Sequence, residues 1–197
     1  MEQTIFNKAR RDKFIAVLDI PIALKQRANL LYKTSGCEND FKTLNANSLQ
    51  FSVYGTPVPT VTVEDISVAY TGQVHKTTSF NRPTYTPLTL GCAIDNRFYN
   101  YWLLWNWLDL YNETNYGYFD AAVNTGASQG LQDYTTSFAI FGLDEYDNKV
   151  VKFTYKNVLI TKLSEIEFSY RNPEEIGCTA SFVFDQMKVD LLAPPCI

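Results

Sequence analysis

Apolar and polar positions alternate with a strand-like period of two along most of this chain, and with a helical period in only one stretch. A charged arm over residues 1–13 enters FIAVLDIP (14–21), a short apolar run stopped by Pro21 and read as a strand. ALKQRANLLYKT (23–34) suits a short helix, and SGCENDFKTLNANS (35–48), rich in turn formers, reads as a long loop. LQFSVY (49–54) sets Leu49, Phe51 and Val53 against Gln50, Ser52 and Tyr54, the pattern of a half-buried strand. GTPVPTV ends that strand, because Pro57 and Pro59 cannot donate to a sheet ladder. VEDISVAYTGQVHKTT (63–78) places Ile66, Val68 and Tyr70 on one face, with a bulge or turn at Gly72; TYTPLTLGCAI (84–94) is a further strand.

The helical stretch follows. Asp95 or Asn96 can cap a helix, and no Gly or Pro interrupts Phe98 to Tyr111. Phe98, Trp102, Trp105 and Leu108 recur at spacings of four, three and three on one stripe. Leu104, Trp107, Leu108 and Tyr111 form an adjoining stripe, and Asn100, Asn106, Asp109 and Asn112 make a polar edge. Residues 113–136 are a Gly-containing loop of small residues. Its length marks it as functional or ordered by a partner. SFAIFGL (137–143), a DEYDNK turn and VVKFTYKNVLI (150–160) predict a hairpin in which Val151, Phe153 and Tyr155 oppose Lys152, Thr154 and Lys156. EIEFSY (165–170) alternates again, and TASFVFDQMKVDLL (179–192) reads as the last strand. The order predicts an α+β chain, mainly antiparallel, forming a single domain over residues 1–197.

Charge and composition narrow the function. The net charge is −4 and the sole basic cluster is Lys8, Arg10, Arg11 and Lys13. A protein that grips phosphates is expected to be basic, so any DNA involved is expected to be one the protein avoids holding. Aromatic content of 15% favours β-structure. The N-terminus lacks an apolar leader pattern, and no run of about 18 apolar residues predicts a membrane span. Cys37, Cys92, Cys178 and Cys196 are scattered without a CxxC pair, as expected of free thiols in a reducing cytoplasm.

Candidate chemistry is sparse. His75 is the only histidine and sits in polar QVHKTT, where a surface role outweighs a catalytic one. No phosphate-cradling glycine motif and no nucleophile elbow occur, so neither a catalytic site nor a cofactor is expected. Glu165 and Glu167, at i and i+2 of a strand, would lie roughly 6–7 Å apart. A solvated strand face explains them better than a glycosidase pair. The cluster Trp102, Trp105 and Trp107 has no cation after Arg97, which argues against nucleic-acid stacking and against an interfacial membrane helix. Packing on a sheet remains as its use, with a subunit interface or a ligand site as alternatives.

In order along residues 10 to 192, RRDKFIAVLDIP, FSVYGTPVP, ISVAYTGQV, PLTLGCAIDNRFYNYWLLWNWL, FAIFGLDEYDNKVVKFTYKNVLIT, SEIEFSY and ASFVFDQMKVDLL resemble the tail tube proteins of contractile-tailed, T4-like bacteriophages. Related folds occur in siphophage tubes and bacterial contractile injection systems. Asp95, Asn96, Phe98, Trp105, Phe182 and Asp185 take the places of that family's strand–"ND"–aromatic-helix step and final F-x-x-D strand, with the Asp-Asn order reversed. The long 113–136 loop and the extra length of 22–47 depart from the pattern. The resemblance implies a β-sandwich or small barrel with one flanking helix, at about 96–112. It implies six copies joined into a ring, rings stacked into a tube, and sheath, baseplate and terminator partners. It further implies DNA as a conducted cargo, no cofactor, no membrane, and a virion tail assembled in the host cytoplasm.

On that reading Phe98, Trp102, Trp105 and Leu108 pack on the sheet, and Glu165 and Glu167 line an acidic lumen. Trp107, Lys8, Arg10, Arg11 and Phe41 are candidates for contacts between subunits. Two rivals stand beside it. One is a terminator, adaptor, baseplate hub or injection-system tube of the same fold. The other is a monomeric β-sandwich that binds a sugar or peptide through the tryptophans and the 113–136 loop.

Overall fold

The structure, a computed structural model, describes residues 8–25, 53–79, 85–110, 134–171 and 174–192. Nine strands and one long helix occur among them: β1 (Phe14–Leu18), β2 (Val53–Gly55), β3 (Asp65–Tyr70), β4 (Gln73–Thr78), β5 (Leu88–Ala93), α1 (Tyr99–Asp109), β6 (Thr136–Leu143), β7 (Lys149–Leu163), β8 (Gly177–Val183) and β9 (Gln186–Leu191). The expected strands at 14–21 and 84–94 form, as does the hairpin at 137–160. A helical turn starts at Ile22, with the Lys25 amide donating to the Pro21 carbonyl; the rest of the expected 23–34 helix lies outside the described residues. So do the 35–48 loop, most of 113–136, and residues 49–52.

The long strand β7 belongs to two antiparallel sheets. Its first half lies between β6 and β9, and β6 also pairs β1. Its second half pairs β8, which continues to β5 and β2. The change of sheet is made at one place. Asn157 adopts φ 55, a left-handed conformation that Asn tolerates, and the β6–β7 register slips by a bulge beside it. Opposite, the chain breaks between β8 and β9. There the Asp185 amide donates to the Lys156 carbonyl and the Asp185 carboxylate accepts from Asn157 Nδ2 at 2.7 Å. The single strand expected over 179–192 is therefore two, bent at Phe184–Asp185 so that each half can follow one sheet.

Inward residues from both sheets make one core: Ala16, Leu18, Phe138, Ile140 and Tyr155 from one, Leu88, Leu90, Val158, Ile160, Ala180 and Phe182 from the other. Each large apolar side chain buried here contributes about 1.5–3 kcal/mol. The helix closes this core with the adjoining Leu104–Trp107 side of its apolar face rather than with the Phe98–Trp102–Trp105–Leu108 stripe expected to pack on the sheet. Leu103, Leu104, Trp107 and Leu110 are buried, whereas Trp105 is 45% exposed; Trp102 and Leu108 pack only partly against the core. Phe98 meets Phe168 in a tilted pair with ring centres 6.1 Å apart, outside the buried stripe.

The cause lies at the helix start. The Asp95 carboxylate accepts from the amides of Arg97, Tyr99 and Asn100. The Asn100 side chain donates to the Ala93 carbonyl at 2.6 Å and accepts from the Asp95 and Tyr101 amides. Asn100 thus pins the helix to the end of β5 and turns its own face inward. Asn100 and Asn106, expected on a polar outer edge, are both buried, and the Asn106 amide group donates to the Trp102 carbonyl. Satisfied hydrogen bonds make such burial tolerable.

EIEFSY is not a strand: residues 164–169 take no regular structure, and Glu165, Glu167 and Phe168 are exposed. Residues 63–78 form the hairpin β3–β4, turned at Thr71–Gly72, where Gly72 has φ +80. It is a separate two-stranded sheet.

Candidate assembly surface

The β1-β6-β7-β9 sheet has two free edges among the described residues, β1 on one side and β9 on the other. Successive antiparallel pairings make β1 and β9 run in opposite directions. The amide directions follow from the ladder. Leu192 N–H bonds the Val150 carbonyl, so at every second residue (Asp190, Lys188) the hydrogen-bonding groups face β7. Those of Met187, Val189 and Leu191 face outward. On the opposite edge, Lys13 and Asp19 bond β6, which leaves Phe14, Ala16 and Leu18 with outward groups. Val189 and Leu191 are also exposed apolar side chains. An unpaired edge of this kind is a template for another strand.

The face of this sheet turned away from the core reads in rows. One row is Ile15, Phe141, Lys152 and Asp190; the next is Val17, Ala139, Thr154 and Lys188. Lys149 Nζ and Lys152 Nζ lie 4.5 and 5.5 Å from the Phe141 ring centre, on this same face. Lys188 pairs with Asp190 at 2.7 Å. The β1 side of the face is apolar and the β7–β9 side is rich in lysine. The alternation of Lys152, Thr154 and Lys156 was legible in the sequence. Its neighbours Lys188 and Asp190 were not, because the bend at Asp185 was not.

A second exposed element is the β3–β4 hairpin. Ile66, Val68, Tyr70 and Val74 are all exposed, and Val58, Val61 and Val63 before it are exposed too. A two-stranded hairpin is marginally stable alone, so this one is suited to lie against another surface. His75 faces Val68 across it and is exposed, as the sequence suggested.

The remaining expected site residues separate. Trp107, expected as a subunit contact, is 2% exposed; its ring meets Phe182 at 5.6 Å and its Nε1–H donates to the Tyr134 carbonyl. It is a core residue of its own chain. Lys8, Arg10 and Arg11 are exposed. Arg10 forms a two-pronged pair with Asp12, and this guanidinium holds the Asp12 carboxyl below the usual carboxylate range. Phe41 lies outside the described residues. Glu165 and Glu167 lie beyond the end of β7, off both sheets. No group of three or more His, Cys, Asp or Glu that could hold a metal occurs among the described residues.

No protein-family profile matches the chain, and no curated protein matches it by sequence. Solved structures do. The anti-feeding prophage cap, the tube-terminating cap of that particle, superposes with a TM-score of 0.61 at 11% identity, over 98% of this chain and 97% of that one. A chain of the sheath–tube complex of an extracellular contractile injection system (PVC) gives 0.58 at 10% identity, covering 95% of each chain. A chain of the sheath/tube terminator of the same system gives 0.58 at 10% identity, over 95% and 99%. At these identities the likeness is one of fold, and it extends over nearly the whole of each chain: the protein has the fold of the tube and tube-terminating subunits of contractile injection systems.

Proposed function

We propose that this chain is a non-enzymatic structural subunit of a contractile tail, forming hexameric rings that stack into a tube. The observation that carries this reading is the pair of free edges on the β1-β6-β7-β9 sheet. Rotational symmetry sets β9 of one copy beside β1 of the next, and because the two run in opposite directions the new pair is antiparallel. Each copy then adds four strands to one closed wall, which removes every edge in that sheet. Walls of roughly 16–18 strands already leave an aqueous channel, so six such sheets enclose a wide one.

In this arrangement the face bearing Phe141, Lys152, Thr154 and Lys188 lines the lumen. The core, helix and hairpin lie outside it, toward stacking rings and sheath. Duplex DNA is the cargo that the resemblance implies, and an acidic lining was the reason to expect it to slide. Lysines outnumber carboxylates on the sheet face, however, and Glu165 and Glu167 belong at most to the rim. DNA as the cargo that crosses this lysine-bearing face is read from the resemblance, and charge reversal on the face tests it. The first alternative role is a tube-terminating cap, favoured by the overlap with the prophage cap over nearly all of both chains. A cap closes the same ring but does not extend into a long tube.

Val189→Pro tests the edge. It removes an outward-facing donor without touching the β7–β9 bonds, so the monomer should fold and ring assembly should fail. Unchanged rings from this variant would sink the pairing.

A further inference from the structure

Two cysteines that the tube reading does not use stand directly opposite each other. Cys92 on β5 and Cys178 on β8 are register partners, both point into the core, and both are free thiols. The Ile94 amide donates to the Ile176 carbonyl, which makes that position a hydrogen-bonded pair of the ladder. Cys92 and Cys178 lie two residues further along and are a pair of the same kind, for which the Cα atoms are about 5.5 Å apart. That separation falls within the range bridged by disulfides, roughly 4.4–6.8 Å. As directly opposed register partners whose side chains both enter the core, the two cysteines present their sulfurs on the same face of the ladder.

We propose that Cys92 and Cys178 form a dithiol site that closes to a cross-strand disulfide under oxidising conditions, with a low-molecular-weight disulfide as oxidant. The Cys178 thiolate attacks one sulfur of that disulfide and expels the first small thiol. Cys92, losing its proton, then attacks Cys178 Sγ and expels the second. Two protein thiols and one small disulfide become one protein disulfide and two small thiols. The neighbouring Cys92 sulfur shifts the Cys178 thiol down, while the Cys178 sulfur, and after it burial, push the Cys92 thiol up. Access comes through the end of the ladder. Cys178 is the second residue of β8, and exposed Glu174, Glu175 and Gly177 precede it, so fraying of that end uncovers the sulfurs. The bond would staple β8 to β5 beside Ala93, the residue whose carbonyl anchors Asn100 and with it α1.

The experiment uses the full chain, folded, in excess glutathione disulfide, with free thiols then blocked and the digest mapped by mass spectrometry without reduction. The expected result is a Cys92–Cys178 cross-linked peptide. The oxidised protein should melt roughly 5–10 °C higher than the reduced one, a gain removed by dithiothreitol. A Cys37→Ser/Cys196→Ser variant should behave identically, and Cys178→Ala should show neither cross-link nor shift. The proposal is overturned if both cysteines stay reduced, if bonds form through Cys37 or Cys196 instead, or if the cross-link leaves the melting temperature unchanged. Since no ring is needed for any readout, failure here would leave the tube proposal standing, and the reverse also holds.

Discussion

Replacing Trp107 and Trp105 by alanine, one at a time, separates the two possible packing faces of the helix. Trp107 is almost wholly buried, lies against Phe182 and donates its indole N–H to the Tyr134 carbonyl at 3.2 Å. Removing it deletes the largest buried side chain among the described residues and the hydrogen bond to that carbonyl. Large aromatic-to-alanine changes in cores cost about 3–5 kcal/mol. In a chain of this size each kcal/mol moves Tm by about 2–4 °C, so Trp107→Ala should lower it by roughly 6–20 °C. Trp107→Phe keeps a ring against Phe182 and loses the hydrogen bond and some volume, and should cost about 1–2 kcal/mol. Trp105 is 45% exposed, and Trp105→Ala should cost under about 1 kcal/mol. Urea melts of the reduced monomer, supported by calorimetry, read all three. Equal losses for Trp105→Ala and Trp107→Ala would refute a helix that buries Trp107 and exposes Trp105.

Three further outcomes follow from named contacts. Asn157→Ala forces an alanine into φ 55 and removes the bond to Asp185, and should cost about 1–3 kcal/mol by denaturant melting; a neutral result would mean the bend at β7 is not held there. Burial pushes the Tyr155 phenol up to about 12 from an ordinary 10. Its contribution is therefore complete below pH 10, where both states are protonated, and is lost as pH rises from 10 to 12 and the unfolded chain ionises first. Tyr155→Phe, which also removes a buried hydroxyl without a partner, should be neutral or stabilising at pH 7 and should lose less stability than the parent across that window. For the cargo, assembled tubes carrying Lys152→Glu and Lys188→Glu should retain less duplex DNA at low salt than the parent; equal retention would exclude this face as the channel lining.

Much of the fold was legible because half-buried strands alternate, and FIAVL, LTLGCA and the 136–163 hairpin do so clearly. The helix existed in the sequence, but its orientation did not. Apolar residues cover both the Phe98–Trp102–Trp105 stripe and the Leu104–Trp107 stripe, so periodicity cannot choose between them. The choice is made by the Asp95 carboxylate and by Asn100 reaching Ala93, a contact between residues seven apart that no periodicity encodes. EIEFSY misleads for the opposite reason. Its alternation is strand-like, yet a strand needs a neighbour, and among the described residues none pairs with it. Of the assembly surface, the polar face of β7 was visible, while the free edges were not, since they depend on which strands pair.

In the proposed ring, β9 of one copy pairs with β1 of the next. Cryo-electron microscopy of the purified, concentrated chain tests it most directly. Six-fold rings are expected, stacked or single, whose inner wall is one continuous antiparallel sheet with Lys152 and Lys188 facing the lumen. A chain that stays monomeric at every concentration, or rings in which β1 and β9 are not joined, would contradict it.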